Sequence, residues 1–318
     1  VSADAPGAYV TAEIAEQPQR WRDVIASAAP GALRAALACE PVVLIGSGSS
    51  AFVAELAARM CRRSGIAAWA IAATDAPFDE PPFVPATAIA FSQSGRSADV
   101  LAALDRFAPA RCVAVTNDPG SPLAARAHVV VDVGAGRERA VPATKSVTAT
   151  LACVQLAAAA DPAAERHALA RIADAVERWL AEAAAAESAR VVPVLAAATS
   201  VIVAGSGDGG VAAREIALKF KEAAYVRAEG VAAGEFRHGG IALLDASCAL
   251  LLLADAADPA QPKLAAAAAT AGAAVVTLEP GDRGLFGRIV AGQTLAVATG
   301  RTMGVDGDAP RGIAKVVG

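Results

Sequence analysis

Short runs of consecutive apolar, β-branched residues alternate along the chain with longer stretches in which Ala and Leu mix with charged residues. PVVLIGSG, Pro41 to Gly48, has the unbroken apolar run of a strand covered on both faces. AFVAELAARMCRRSG, closed by Gly65, has helical spacing and a helix stop. IAAWAIA, TAIAFS, CVAVTN and HVVVDV read as further strands, with SADVLAALDRFA a helix between two of them. Continuous apolar strands alternating with helices predict a parallel sheet covered on both faces, an α/β fold. A helical stretch follows from about Lys145 to Ala198, and then the pattern restarts. SVIVAGSGDGG, Ser200 to Gly210, echoes PVVLIGSGSS, with Gly205 and Gly207 standing where the first copy has Gly46 and Gly48. CALLLLAD and AAVVTLEP supply later strands of the second half, joined by the helix PKLAAAAATAG. The echo predicts an internal duplication. We expect an N-terminal helical segment over 1–39, a first domain over 40–160, a helical linker over 161–198, a second domain over 199–300 and a tail over 301–318.

Composition narrows the class. The chain has 318 residues, enough for two domains with well-buried cores, and 55% of them are hydrophobic, with Ala prominent and aromatics only 4%. No apolar run reaches the roughly 20 residues that cross a bilayer, and the first residues lack the basic-then-apolar pattern of a signal peptide. A net charge of −4 without a basic block argues against nucleic acid or a membrane as partner. Cys39, Cys61, Cys112, Cys153 and Cys248 are scattered with no C-x-x-C pair, which suits a reducing cytoplasm and predicts no metal. Of the three histidines, His128 opens an apolar strand and His167 sits in a charged helix, both structural settings.

Candidate chemistry collects in the loops that follow strands, where ligands of open α/β sheets bind. IAFSQSGRSADV, Ile89 to Val100, runs from a buried strand into Ser92, Gln93, Ser94, Gly95, Arg96 and Ser97, more polar groups than a turn needs. GSGSSA and RAVPATKS (Arg139 to Ser146) are similar. Hydroxyls from Ser49, Ser50, Ser92, Ser94, Ser97 and Thr144, with N–H groups at helix starts, suit a phosphate. No loop holds the G-K-[ST] of a nucleotide P-loop. Gly46, Gly48 and Ala51 also fit a dinucleotide-binding turn, with Asp75 downstream, but the intervening serines and the second hydroxyl loop disfavour it. Capping and a solvated turn would account for one or two serines, not for two such loops.

A second constellation lies between Arg214 and Gly240. Glu215, Lys219 and Glu222 fall on one helical face, and spacing alone favours an exposed ladder of Glu–Lys pairs. The next segment, EFRHGG, leaves His238 little cover.

These residues carry a resemblance. SQSGRSAD, AGRERAVPATKS, EIALKFKE, AEGVAAGEFRHGGIAL and DAPRGIAKV, in this order over nearly the whole chain, resemble proteins with two sugar-isomerase (SIS) domains. The likeness is to the isomerase half of glutamine–fructose-6-phosphate aminotransferases and to stand-alone aminosugar-phosphate deaminases. AEIAEQP resembles the segment that opens that half. The resemblance implies two tandem parallel-sheet, flavodoxin-like domains joined by a helical segment. It implies that Ser49, Ser50, Ser92, Gln93, Ser94 and Ser97 hold the phosphate and that Val141 and Ala314 offer backbone groups to the sugar. Glu222 matches the base that moves a proton between C1 and C2. His238 matches a histidine that assists ring opening across a homodimer interface, and Lys315 a lysine that engages the open-chain carbonyl. Lys219 matches a lysine near the sugar. Two positions depart from the family pattern: Gly240 follows His238-Gly239 where a proline is usual, and Ser47 replaces a common cysteine.

The 318 residues contain no glutamine-hydrolysing cysteine domain, which leads us to expect the degradative direction. The expected reaction takes glucosamine 6-phosphate, or a related hexosamine 6-phosphate, to the ketose phosphate plus ammonia, with no cofactor. The alternatives are a non-catalytic phosphosugar sensor and an isomerase subunit that depends on free ammonia or on a partner. A sensor has no use for Glu222, His238 and Lys315 together.

Overall fold

The structure, a computed structural model, describes residues 5–315. Residues 1–4 of the expected N-terminal segment and 316–318 of the expected tail lie outside them. Three short helices come first, α1 (Ala8–Ala15), α2 (Gln17–Ala26) and α3 (Ala29–Leu37). An alternating series follows: β1 (Val42–Gly46), α4 (Ser49–Arg63), β2 (Ala68–Ala72), β3 (Thr87–Ser92), α5 (Ala98–Phe107), β4 (Arg111–Thr116), α6 (Pro122–Arg126) and β5 (Val129–Asp132). The helices α7 (Lys145–Ala158), α8 (Pro162–Glu182) and α9 (Ala184–Ala197) lead to the second series. That series is β6 (Ser200–Gly205), α10 (Asp208–Ala224), β7 (Arg227–Ala232), α11 (Ala233–Phe236), β8 (Cys248–Leu253), α12 (Ala260–Thr270), β9 (Ala274–Leu278) and α13 (Gly284–Thr302).

Among the described residues the strands form a five-stranded sheet, β2-β1-β3-β4-β5, and a four-stranded sheet, β7-β6-β8-β9, each parallel throughout. The first order is that of a flavodoxin-like sheet, and the second repeats it without the last strand. The predicted duplication is therefore present in the backbone. Gly48 and Gly207, which precede α4 and α10, adopt the same positive φ (55° and 54°), a conformation that disfavours a side chain and lets both helices start directly over the strand end. The central strands β1, β3 and β8 are buried along their whole length, which is why their sequences are unbroken apolar runs.

The chain divides into two compact units that are not collinear with it. The first comprises residues 16–138, 145–173 and 314–315, and contains the five-stranded sheet. Helices α2 and α3 pack on α7 there, and the buried Trp21 indole N–H donates to Thr148 Oγ1 (2.9 Å), whose hydroxyl donates to Gln17 (2.6 Å). That chain satisfies polar groups that burial would otherwise leave bare. The second unit comprises 5–15, 139–144 and 174–313, with α13 packed on α1, α9 and α10. No helix of the described residues is long and apolar enough to cross a membrane.

Candidate active site

In the first unit β1 and β3 are hydrogen-bonded neighbours, so the loops that leave them lie side by side at the carboxyl edge of the sheet. The chain order on either side of this pair diverges, the switch point at which open α/β sheets bind ligands. Ser49 and Ser50 open α4 there, and Ser97 stands at the N-cap of α5 without closing a side-chain cap bond. Ser92 Oγ accepts the Gly95 N–H (3.1 Å) and Ser94 Oγ accepts the Arg96 N–H (3.3 Å). Both hydroxyls accept from the backbone, so their own protons remain to be donated to an anion. The Gln93 carbonyl accepts from the Asn117 N–H (3.1 Å), tying the loop to the end of β4. Arg96 is engaged by Asp118 (3.0 Å). Ser47 Oγ is buried and has no hydrogen-bond partner among the described residues. Sequence reading noted this residue only as a departure from a family cysteine.

The third loop is built differently. Glu138, in the irregular segment before α7, accepts the Ser146 N–H (3.2 Å) and Ser146 Oγ–H (2.7 Å), so a carboxylate already occupies this helix start. Lys315 Nζ lies 3.1 Å from the same carboxylate, with Ala314 beside it in the chain.

In the second unit the ladder of Glu215, Lys219 and Glu222 is not exposed, contrary to what its spacing favours. The side chains of Glu215 and Lys219 are 2% exposed and that of Glu222 is 13% exposed. Helix α10 packs against α13 and β7 within this unit, and the face that an isolated helix would leave in water is buried at Glu215 and Lys219. Lys219 Nζ lies 2.6 Å from Glu222 Oε2 and 3.5 Å from Glu215 Oε1, one cation shared by two carboxylates. Glu222 alone of the three reaches toward solvent. The ammonium holds one of its oxygens and leaves the other for a proton.

Val141 and Thr144 also belong to the second unit. The Val141 N–H is spent on the Asp308 carbonyl (2.9 Å), so what it can offer a sugar is its carbonyl. Thr144 is buried. His238 is exposed, and its ring has no hydrogen-bond partner among the described residues. A Cβ on the following Gly240 would fall 2.3 Å from the Phe236 ring, so close packing accounts for the glycine at this position. His128 accepts the Cys112 N–H at Nδ1 (3.0 Å), a structural role, and His167 lies exposed on α8. The five cysteines are free, and no group of three or more His, Cys, Asp or Glu among the described residues could hold a metal ion.

The SIS domain model matches residues 38–160 and 194–275. A glutamine–fructose-6-phosphate aminotransferase [isomerizing] from Caulobacter vibrioides is 34% identical over 264 residues, which is 72% of this chain and 43% of that protein. The chain spans less than half the length of the first curated relatives it matches. Among solved structures, the C-terminal domain of glucosamine-fructose-6-phosphate aminotransferase from Francisella tularensis aligns with a TM-score of 0.85 at 21% identity. That alignment covers 98% of this chain and 100% of the other. Glucosamine-6-phosphate deaminase from Thermotoga maritima aligns with a TM-score of 0.81 at 22% identity, covering 98% and 99%. With both sheets in the same strand order and the family model over most of the chain, the protein belongs to the SIS-domain family.

Proposed function

We propose that the protein is a phosphosugar aldose–ketose isomerase that acts on a hexosamine 6-phosphate and releases ammonia. The observation that carries this reading is Glu222, a carboxylate with one oxygen held by a buried ammonium and an edge open to a substrate. A 1,2-proton transfer needs such a group, which must take a proton and return it on the same face of a planar intermediate. The hydroxyl loops after β1 and β3 supply neutral donors and helix N–H groups for the phosphate: Ser49, Ser50, Ser92, Gln93, Ser94 and Ser97, joined by Ser47. His238 opens the sugar ring. Glu222 removes the C2 proton of the aldehyde form and delivers it to C1, converting the 2-amino aldose into a C2 ketimine. Water adds to the ketimine, and ketose phosphate and ammonia leave. Lys315 engages the open-chain carbonyl oxygen, with Ala314 and the Val141 carbonyl beside the sugar.

A panel of hexosamine 6-phosphates with ammonia and ketose-phosphate readouts tests the proposal. Ammonia released in step with ketose phosphate supports it, and binding without release refutes the deamination. Glu222→Gln is expected to lower turnover at least roughly 100-fold while phosphosugar binding persists. Equal turnover would mean that another group is the base. One observation favours a second reading, an ammonia- or partner-dependent synthase: the curated relatives are aminotransferases of which this chain spans less than half. Aminosugar formation from ketose phosphate and ammonium, without net deamination, would select it.

A further inference from the structure

We propose that Glu138 is a positioning residue that holds the Lys315 ammonium in its working orientation; the inference rests on the reading of Lys315 as the group that engages the open-chain carbonyl. The Glu138 side chain is fully buried, 0% exposed, in an irregular segment of otherwise small and apolar residues and arginines. Its Oε1 accepts the Ser146 N–H, and its Oε2 accepts both the Ser146 hydroxyl and Lys315 Nζ. Ser146 is the second residue of α7, so the carboxylate stands at a helix N-terminus, where the backbone dipoles favour a negative charge. These contacts fix the carboxylate before a ligand arrives.

Lys315 differs from its anchor in being one-quarter exposed. One side of its ammonium faces Glu138, and the side chain also reaches solvent. A lysine on a flexible stem near the end of a tail would otherwise sample many rotamers, and pre-paid ordering of this kind is what accelerates a reaction between held groups. Glu138 thus acts through Lys315 and need not touch the sugar. Glu138 immediately precedes the hydroxyl loop RAVPATKS, and this one carboxylate of AGRERAVPATKS contacts the tail lysine.

Glu138→Gln keeps the shape and an acceptor for Ser146 but removes the charge. We expect kcat to fall roughly 10- to 100-fold, the range for losing one charge-assisted hydrogen bond, with KM little changed. Glu138→Asp should recover part of the loss. In a Lys315→Met background the Glu138→Gln change should add nothing further. A loss of kcat that is the same with or without Lys315, or a change in KM alone, overturns the proposal. A second readout needs no turnover: the rate at which acetic anhydride labels each lysine, read by peptide mass. In Glu138→Gln the Lys315 rate is expected to rise several-fold while that of the buried Lys219 stays constant. An unchanged Lys315 rate, or a parallel rise at Lys219, overturns it. If the wild-type protein turns over no hexosamine phosphate, the proposed function fails, and the labelling still decides the role of Glu138.

Discussion

The two halves of the chain contain the same turn with opposite chemistry. Gly46-Ser47-Gly48 and Gly205-Ser206-Gly207 each leave the first strand of a sheet and enter a helix with the same backbone. In the first unit Ser47 Oγ is buried without a partner among the described residues. In the second, Ser206 donates to Asp258 and accepts from Gln261 Nε2 (3.1 Å), so its bonding is closed internally. The neighbouring loops diverge in the same sense. After β3 come Ser92, Gln93, Ser94 and Ser97, whereas after β8 come Asp255 and Asp258, with Asp208 opening α10 and Glu279 following β9. Arg288 donates to the Ala254 carbonyl (2.6 Å). Burial draws its guanidinium down, while Asp255, Asp208 and Glu279 act in the opposite sense. A phosphate dianion would meet hydroxyl donors at one edge and carboxylates at the other. The two like turns thus differ in whether the serine is bonded within the protein.

Placing the second unit's charge in the first unit's loop should have the largest effect. Ser94→Asp sets a carboxylate against the phosphate. At about 4 Å and an effective dielectric near 20 the repulsion is about 4 kcal/mol for each unit of phosphate charge, at least a roughly thousand-fold loss of affinity. Calorimetric titration with a phosphosugar checks this, and unchanged affinity would remove the loop from the site.

A smaller contrast concerns alkaline stability. Burial pushes the Cys61 thiol up to about 11 and the Cys153 thiol up to about 12, and it raises Cys112 as well. All three lie in the first unit. Thiols with raised folded pKa values contribute stability that is complete below their ordinary value of 9.0 and is lost as pH climbs through 11 to 12. Pulse proteolysis in urea at pH 8 and 10.5 should show the first unit losing on the order of 2 kcal/mol for each of Cys61 and Cys153, and the second losing less. Equal losses would break the contrast. Cys61→Ala combined with Cys153→Ala should flatten it.

The smallest expected effects come from the paired serines. Ser47→Ala should weaken phosphosugar binding several-fold while leaving the melting temperature unchanged, since no internal bond is lost. Ser206→Ala should lower stability by about 1 kcal/mol and leave binding unchanged. Reversed outcomes would mean that the two turns have exchanged roles.

The fold was legible because its signals are local. Unbroken runs such as VVLIG and CALLLL have the length and composition of central strands of a sheet covered on both faces, and Gly-Ser-Gly marks the first strand-to-helix turn of each half. The hydroxyl loops were legible for the same reason, since Ser92 through Ser97 exceed the needs of a turn. The charges were not. Spacing placed Glu215, Lys219 and Glu222 on one helical face but could not say whether protein or water covers it, and the structure buries two of the three. Glu138 gave no signal beyond a charge in a small-residue loop, because its partners Ser146 and Lys315 are 8 and 177 positions away. By itself, then, the sequence determined the elements, the duplication and the hydroxyl-rich loops at strand ends, all set by backbone propensity and apolar periodicity. Tertiary structure decided which carboxylates are buried, which cation each one holds and which of two like serines is left unpaired. Ion pairing depends on distances across the fold and on exclusion of water, and neither is written in local spacing.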